Sequence, residues 1–598
     1  MPQEPKHCYE NNLRTFTTQL QVLRDKKRMF GVARFGSIVL LICVFYFFSI
    51  LGWIYVLILS ITLLFLFRWL VLKDLANKAA IRQKENLLAV NREEIEAISG
   101  KYFQFNNGKE YTPAEHHYAN DLDITGHASL YQFCNRTVSW MGSKRLADWL
   151  LLPASGTEVL SRQTAVLELG QKRQTGQLFQ ASGRDNPIQE KTHRRLVDWL
   201  AEEPAFVKSQ RWKMLRIVVS VIMTSVTVAT VFDYIPLNIF YAFLFVAAVI
   251  AFQLNKIIAP VHEKLSRMVE ELSTVSEGIA LIENETFNSE LLVELQAGFT
   301  NGNERASHKI RELKKILDRL DLRYNIVVSA PLNLLFLWNL QQVLDLEKWK
   351  NKNALQVENW FKNVGDFEAL NSFATICFNN PDWVMPDLRP KYFHLDIKHS
   401  GHPLIFKDKR VNNDVLLPGS GELMIVTGSN MAGKSTYLRS VGVNIVLAMA
   451  GSAVCASYCK MSPVNLLSSM RVSDNLEENT STFYAELKKL KLIIDKVNAG
   501  EEVFVLLDEI LRGTNSLDRH TGSVALIKQF IKHNTAAIIA THDVTLAELI
   551  KEYPENLINQ HFDAQVEGEE LYFDYKLKPG ISTSLNASIL MRKIGIEL

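Results

Sequence analysis

Cysteine is scarce in this chain of 598 residues, and its few copies form no pattern that indicates a metal site or a disulfide framework. Only Cys455 and Cys459 lie close together in the sequence, and they lack the companions that a zinc site requires. The spacing therefore argues against structural zinc, and it fits a protein of the reducing cytosol. The six cysteines are Cys8, Cys43, Cys134, Cys377, Cys455 and Cys459.

An excess of charge of one sign is also lacking. The chain has 66 Lys and Arg against 64 Asp and Glu, so its net charge of +2 does not by itself indicate a nucleic-acid partner. The hydrophobic share of 47% and the mean hydropathy of +0.01 are high for a soluble enzyme and low for a protein that is mostly membrane. The chain is too long to fold around a single hydrophobic core, so two or three domains are expected.

Two long stretches contain almost no charge. A single helix over Phe35–Phe67 would be ~50 Å long, against a hydrocarbon core of ~30 Å, so a hairpin of two short spans that turns near Ser49–Gly52 is expected. Residues 217–254 repeat the pattern around a break at Phe232–Pro236. Basic residues flank both stretches, which places their ends in the cytoplasm. The alternative for the second stretch is a pair of buried core helices. The first stretch is not a secretory signal, because a charged segment precedes it.

A glycine-rich loop carries the chemistry. The apolar run Leu423–Val426 leads into the loop, and a helical pattern over 437–449 follows, which is the context of a phosphate-binding loop. Backbone N–H groups and the helix N-terminus would hold phosphates there. Lys434 would reach the β- and γ-phosphates, and Ser435 would hold Mg²⁺. The alternative is an ordinary glycine turn. The predicted contacts are Gly428, Ser429, Met431, Ala432, Gly433, Lys434, Ser435 and Thr436.

Two later apolar runs end in polar residues that complete such a site. The run 503–507 reads as a buried strand and ends in Asp508 and Glu509, where Asp508 would orient Mg²⁺ and Glu509 would activate the attacking water. The run 536–540 leads to His542, which would sense the γ-phosphate. The predicted catalytic residues are therefore Lys434, Glu509 and His542. A solvated acid pair and a structural histidine are the alternatives.

These segments, in order and spacing, resemble the MutS ATPases, which are DNA mismatch-recognition proteins of the ABC-type P-loop class. The matching segments are Thr427–Thr436, Ser481–Glu486, Asp508–Thr514 and Ala540–His542. The resemblance implies ATP as the nucleotide and Asn430 as a further phosphate contact. It implies that Ser481 and Thr482 complete the site of a second subunit in a homodimer. It also makes double-stranded DNA a partner to consider. Ser429 and Ala432 depart from the usual loop without changing its glycine–lysine spacing.

The resemblance extends upstream to the start of the MutS core at Leu122. Within it, residues 141–145 are a local match, for which a simple helix start capped by Ser143 is an equally good description. Helices are expected over 79–99, 263–295 and 306–328, and the last of these is basic enough to contact phosphates or to be a solvated face. We expect no mismatch-reading domain before Leu122, and we expect the family's C-terminal dimerisation segment to be mostly absent.

The expected fold is an α/β P-loop ATPase domain of ABC type joined to a mainly α-helical core or lever domain with two transmembrane hairpins. The expected function is a MutS-like, Mg²⁺-dependent ATPase that binds DNA and is anchored in the cytoplasmic membrane, with its termini and ATPase domain in the cytosol. The alternative is an ATP-driven membrane switch, or a remodelling or transport-coupled ATPase, without DNA binding. The expected parts are a tail at 1–34, hairpins at 35–68 and 217–254, a helical region at 69–400 and the ATPase at 401–598.

Overall fold

The computed structural model describes residues 4–48, 52–113, 115–265, 268–302, 304–429, 431–471, 482–567 and 570–582. Its contacts divide the chain into two compact units. Unit 1 contains residues 1–98, 174–285 and 296–362, and unit 2 contains residues 99–173, 286–295 and 363–598. Both units are assembled from separate parts of the sequence, and their limits cut across the ranges 69–400 and 401–598 expected from sequence.

Unit 1 is built from helices. Its first two helices, α1 and α2, form an antiparallel pair, since Asn12 bonds to Asn91 and Arg24 pairs with Glu85. The uncharged stretch predicted to form the first hairpin occupies the ends of these helices that meet between residues 48 and 53. The helices of unit 1 are α1 (Pro5–Phe48), α2 (Trp53–Ile98), α6 (Arg173–Gly183), α7 (Glu190–Ala201), α8 (Gln210–Val231), α9 (Leu237–Leu265), α10 (Val269–Asn284), α12 (Ala306–Asp321), α13 (Ile326–Phe336) and the first part of α14 (Trp338–Asn379).

Within the described residues, four helices are long and apolar enough to cross a membrane, namely α1, α2, α8 and α9. A fifth is added if the bent pair α13 and α14 counts as one span. The expected break at Phe232–Pro236 is present, because α8 ends at Val231 and α9 begins at Leu237. Side chains such as Phe45, Leu57, Val231 and Phe245 are exposed along these helices. That exposure distinguishes them from the buried core helices of the alternative interpretation.

Unit 2 is organised around a six-stranded sheet with the order β12-β11-β6-β10-β9-β8. Strands β11, β6, β10, β9 and β8 are parallel to their neighbours, and β12 is antiparallel at the edge. A second sheet has the order β3-β7-β4-β5. The strands are β3 (Asp387–Leu388), β4 (Leu395–Ser400), β5 (Asn413–Leu417), β6 (Leu423–Gly428), β7 (Tyr458–Met461), β8 (Asn465–Ser469), β9 (Val503–Asp508), β10 (Ala536–Thr541), β11 (Leu557–Glu567) and β12 (Glu570–Pro579), while β1 (Thr300–Asn301) and β2 (Glu304–Arg305) form a small hairpin in unit 1.

The central strands of the six-stranded sheet are covered on both faces. Every residue of β6, β9 and β10 is buried, as expected for parallel strands between two helical layers. Side chains from α16 and α17 pack with alternate strand residues in one cluster, and α15 packs on the other face. The helices of unit 2 are α3 (Leu130–Cys134), α4 (Trp140–Leu151), α5 (Gly156–Gln171), α11 (Glu290–Ala297), α15 (Lys434–Ala450), α16 (Thr482–Asn498) and α17 (Ser516–Lys532).

The local match at residues 141–145 lies in α4, and its cap differs from the expectation. The cap is Ser139, whose side chain accepts the Gly142 N–H, whereas Ser143 lies inside the helix. The buried carboxylate of Glu368 accepts the N–H groups of Val138 and Ser139 at 2.8 and 3.0 Å. This segment is therefore a packed helix start, held by a residue far away in the sequence.

The long helices expected from apolar periodicity are interrupted. The stripe predicted over 263–295 is divided among α9, α10 and α11, and the helix predicted over 306–328 ends at Asp321. A 3₁₀ turn at Leu322–Tyr324 and the separate helix α13 follow. The periodicity correctly indicated helix, but it did not show where one helix ends and the next begins.

Candidate functional site

The glycine-rich loop joins β6 to α15, as the sequence predicts. Gly428, the last residue of β6, has φ 147°, and a Cβ there would lie 2.7 Å from the Phe562 carbonyl oxygen. Gly433 has φ 108° and forms the N-terminal end of α15. Met431 has a positive φ of 69° and a side chain that is 79% exposed. The loop thus uses glycine where the backbone approaches its neighbour most closely.

Lys434 begins α15 and folds back over the loop. Its ammonium group donates to the carbonyl oxygens of Gly428 at 2.7 Å and Ser429 at 3.0 Å. The residue is buried, and this burial lowers the pKa of Lys434, while the nearby carboxylates of Glu509 and Asp508 act in the opposite direction. A buried ammonium group beside backbone carbonyls is a strong donor for anionic oxygens, which suits phosphate binding.

Asp508 is the last residue of β9 and Glu509 follows it, and β10 lies between β9 and the loop's own strand β6. The parallel register places Ala540 of β10 beside Asp508, and the Glu509 N–H donates to the Ala540 carbonyl oxygen at 2.9 Å. Asp508 is 6% exposed, and its Oδ1 has no hydrogen-bond partner among the described residues. Glu509 has a positive φ of 55°. Such strain in a residue other than glycine is found most often at functional sites.

His542 follows β10 and connects the loop to the acid pair. Its Nδ1 lies 3.0 Å from the Gly428 carbonyl oxygen and 3.4 Å from the Lys434 ammonium nitrogen. Its Nε2 contacts the Glu509 carboxylate. Both ring nitrogens therefore face an acceptor oxygen. The hydrogen bond from His542 is the main reason that the pKa of Glu509 lies below its ordinary value. The three predicted catalytic residues, Lys434, Glu509 and His542, form one contact network.

Sequence reasoning did not assign roles to two residues that shape the segment after β9. Arg512 pairs with Glu509, at 3.1 Å between Nε and Oε2, and its Nη2 donates to the Asp508 carbonyl oxygen at 3.0 Å. Glu486 on α16 is buried and accepts the backbone N–H groups of Leu511 and Arg512. Both residues lie in the segments that carry the family resemblance. The sequence alone did not show which backbone and side-chain groups they contact.

The remaining described residues predicted to contact the nucleotide lie in the loop, on the first turn of α15 and at the start of α16. Ala432 is buried in the loop, whereas Ser435 and Thr436 are exposed on the first turn of α15. The Ser429 hydroxyl is buried without a partner in the described part of the chain. Thr482 is the first residue of α16. Asn430 and Ser481 lie outside the described residues.

The chemistry of Asp508 fits a magnesium ion. Mg²⁺ prefers hard oxygen ligands, and it usually takes one or two carboxylates from the protein and keeps several waters. The buried Oδ1 of Asp508 is such an oxygen, and it lacks a partner within the described ranges. Ser435 offers an exposed hydroxyl at the start of α15, as predicted. These donors suit a cation that bridges protein and phosphate oxygens.

Comparisons with known proteins find similarity in the part of the chain that contains this site. Residues 424–590 match the family model of MutS domain V. The chain is 35% identical to the "DNA mismatch repair protein MutS" of Fusobacterium nucleatum over an alignment of 217 residues. This alignment covers 35% of this chain and 24% of that protein. It is 31% identical to the protein of the same name from Persephonella marina over 240 residues, an alignment that covers 40% of this chain and 27% of that protein. It is also 30% identical to the human "MutS protein homolog 4" over 233 residues, an alignment that covers 37% of this chain and 24% of that protein. The matched part thus spans about a quarter of each relative.

Proposed function

Because domain V makes this chain a member of the MutS family, we propose that it binds and hydrolyses ATP with Mg²⁺ and that it does so while anchored in a membrane. One observation carries the ATPase part of the proposal. Lys434, Asp508, Glu509 and His542 come from three different strand ends, and they meet at the carboxyl edge of the parallel sheet. Open α/β sheets bind ligands at this edge.

Each residue has a role that follows from its position. The loop backbone and the Lys434 ammonium group bind phosphate oxygens, in exchange for the carbonyl oxygens that Lys434 contacts now. Glu509 accepts the proton of the attacking water, and His542 holds the Glu509 carboxylate in place. Asp508 and Ser435 hold Mg²⁺, which neutralises charge on the phosphates when it is bound.

The proposal includes a homodimer formed through the ATPase domains. Thr482 is the first residue of α16. The resemblance to MutS assigns Ser481 and Thr482 to the partner's ATP site. Glu486 on the same helix contacts the segment after β9. One helix therefore begins at Thr482 and also positions the loop that carries the catalytic carboxylate. This arrangement would link closure of the dimer to turnover.

The membrane part of the proposal is supported by the four apolar helices α1, α2, α8 and α9. Basic residues flank each hairpin, which favours cytoplasmic ends and a location in the cytoplasmic membrane. At the base of the first hairpin, Arg34 and Lys78 both pair with the buried Asp74, at 3.2 Å each. A buried carboxylate paired in this way fixes the register of α1 against α2.

The output of the ATPase is proposed to be DNA processing related to mismatch repair, because the relatives matched in the ATPase part carry mismatch-repair names. The second candidate is a conformational change of the membrane helices without DNA, as in remodelling or transport-coupled ATPases. The four apolar helices in unit 1 favour that candidate. Purified protein in nanodiscs distinguishes the two, because ATPase activity would respond either to branched or mismatched duplex DNA or to the lipid alone.

The catalytic assignment is tested with Glu509→Gln in the full chain. We expect ATP binding to persist and turnover to fall by about 10²–10⁴-fold, because the amide cannot accept a proton. Glu548→Gln, an exposed residue of the same unit, is the matched control and should retain activity. Unchanged turnover in Glu509→Gln would disprove the role of Glu509 as the base. Failure of the unmodified protein to bind ATP would disprove the proposal as a whole.

A further inference from the structure

A third apolar segment of unit 1 lies outside the two predicted hairpins. Residues 324–344 contain no charged side chain, and Arg323 and Asp345 mark the two ends of the stretch. The stretch contains α13, the bend at Leu337 and the first turns of α14. Neither the ATP site nor the two hairpins accounts for it.

The shape of this segment prevents it from crossing a bilayer as a straight helix. Helix α13, which contains Pro331, is bent by 80° relative to α14. Leu337 at the bend has a left-handed φ of 46°. Eleven residues at ~1.5 Å each give a helix of about 16 Å, roughly half of the ~30 Å hydrocarbon core.

One side of this segment is attached to the base of the second hairpin. The Ser220 hydroxyl of α8 donates to the Phe336 carbonyl oxygen at 3.3 Å, and Asn339 donates to Asn255 of α9 at 3.2 Å. Leu335 and Leu337 belong to an apolar cluster with residues of α8 and α9. Its hairpin members are Val219, Met223, Ala247, Leu254 and Ile258. Most of them lie toward the hairpin ends that the basic flanks place on the cytoplasmic side.

The other side of the segment is exposed and apolar. Ile326 is 76% exposed and Val327 is 79% exposed, and Leu322, Tyr324 and Val328 extend the same surface. Adjacent large apolar side chains on a surface indicate an interaction site. Arg323 lies between Leu322 and Tyr324 in the sequence, and its guanidinium lies 5.9 Å from the centre of the Tyr324 ring. An arginine beside an aromatic ring is typical of the interface between lipid headgroups and acyl chains.

We propose that α13 and the turn before it insert into the cytoplasmic leaflet beside the second hairpin, as a membrane-embedded helix that does not cross the bilayer. The proposal rests on the membrane anchoring proposed above. Lipid is the occupant that fits, because the exposed surface continues from a hairpin whose own exposed side chains are apolar. The protein would then contact the membrane through five helices, of which four cross it.

The inference is tested by placing single fluorescent labels on the full-length protein in nanodiscs. The partly exposed Cys8, Cys43 and Cys377 are replaced with Ala, and the buried Cys134, Cys455 and Cys459 are left in place. Labels at Val327→Cys, and independently at Ile326→Cys, report on α13. Leu355→Cys, which is 98% exposed on α14, is the apolar control outside the segment. Phe245→Cys on α9 is the control within the hairpin.

We expect nitroxide lipids to quench the labels at positions 326, 327 and 245 several-fold more than the label at 355, and a water-soluble quencher to give the opposite order. If the label at 245 is quenched by lipid while those at 326 and 327 behave like the label at 355, the inference about α13 is overturned and the membrane anchor stands. If the label at 245 is also quenched only from water, the anchor itself is refuted. ATP binding by each labelled protein verifies that it is folded.

Discussion

Replacing Glu486 with Ala should reduce ATP turnover while leaving ATP binding intact. The buried Glu486 carboxylate accepts the N–H groups of Leu511 and Arg512, just after Asp508 and the proposed base Glu509. Burial raises the pKa of Glu486, and the two N–H groups work against this effect. The carboxylate therefore acts as a fixed acceptor that holds the segment carrying Glu509.

The expected loss of turnover can be estimated from the hydrogen bonds and φ values of the backbone after β9. The Ala variant removes the carboxylate acceptor of two partly buried N–H groups, at about 0.5–1.5 kcal/mol each. Glu509 and Leu511 have φ values of 55° and 60°, each of which costs roughly 1–2 kcal/mol for a residue other than glycine. Without Glu486 the segment should relax toward ordinary φ values and displace Glu509. A displacement of ~1 Å in a catalytic group lowers the rate by about 10²-fold.

The assay is steady-state ATP hydrolysis alongside equilibrium binding of a fluorescent ATP analogue. Glu486→Ala should lower kcat by about 10–100-fold and change the nucleotide Kd little, because no loop or Lys434 contact is altered. Glu486→Gln keeps one acceptor oxygen and should be intermediate. Glu158→Ala is the matched control, since Glu158 accepts the Ser155 N–H in a capping box of α5. Turnover in Glu486→Ala within twofold of the unmodified protein would refute this reasoning.

Two further predictions concern stability. Gly142→Ala should destabilise unit 2 by about 1–3 kcal/mol in thermal unfolding, because a Cβ would lie 2.6 Å from the Glu368 Cβ. Gly170→Ala on α5, where the nearest atom is 3.9 Å away, is the control and should be neutral or slightly stabilising, and equal effects would contradict the packing argument. Burial lowers the pKa of His402 to about 4, below its unfolded value, so its contribution to stability is complete above pH 6.5 and is lost as the pH falls toward 4. Between pH 7 and 5 this amounts to about 2 kcal/mol, so His402→Gln should flatten the pH dependence of unfolding, and an unchanged slope would contradict it.

The glycine-rich loop and its strands were predictable because their signals are local. Val503–Leu507 is a continuous apolar run between polar residues, and the strand exceeds it by one residue, Asp508. Gly428, Gly433 and Lys434 follow another apolar run, Leu423–Val426, which is the local pattern of a phosphate-binding loop. The order of the strands within the sheet was not predicted, because pairing depends on contacts between distant parts of the chain.

Helix boundaries were harder to predict because distant residues set them. Ser139 and Ser143 are both suitable caps for α4 from sequence alone. The structure selects Ser139 because Glu368, some 230 residues later, binds the N–H groups before the helix. Similarly, the break before α11 is held by Glu168, which accepts the N–H groups of Asn288 and Ser289. A single sequence gives no sign of such partners.

The contacts of the site indicate how binding and catalysis are linked. Lys434 donates to carbonyl oxygens of its own loop, and His542 contacts both the Gly428 carbonyl oxygen and the Glu509 carboxylate. Glu509 is also paired with Arg512, so its carboxylate oxygens are engaged by two cationic or hydrogen-bonding partners. A carboxylate held in this way is a weak base, because both partners stabilise its ionised form and so make it less ready to accept a proton. Phosphate oxygens that draw Lys434 away from Gly428 would change the surroundings of His542, since the two side chains share that carbonyl oxygen. In the proposed mechanism, occupation of the loop would thus reach Glu509 through His542, the side chain that contacts both the loop and the carboxylate.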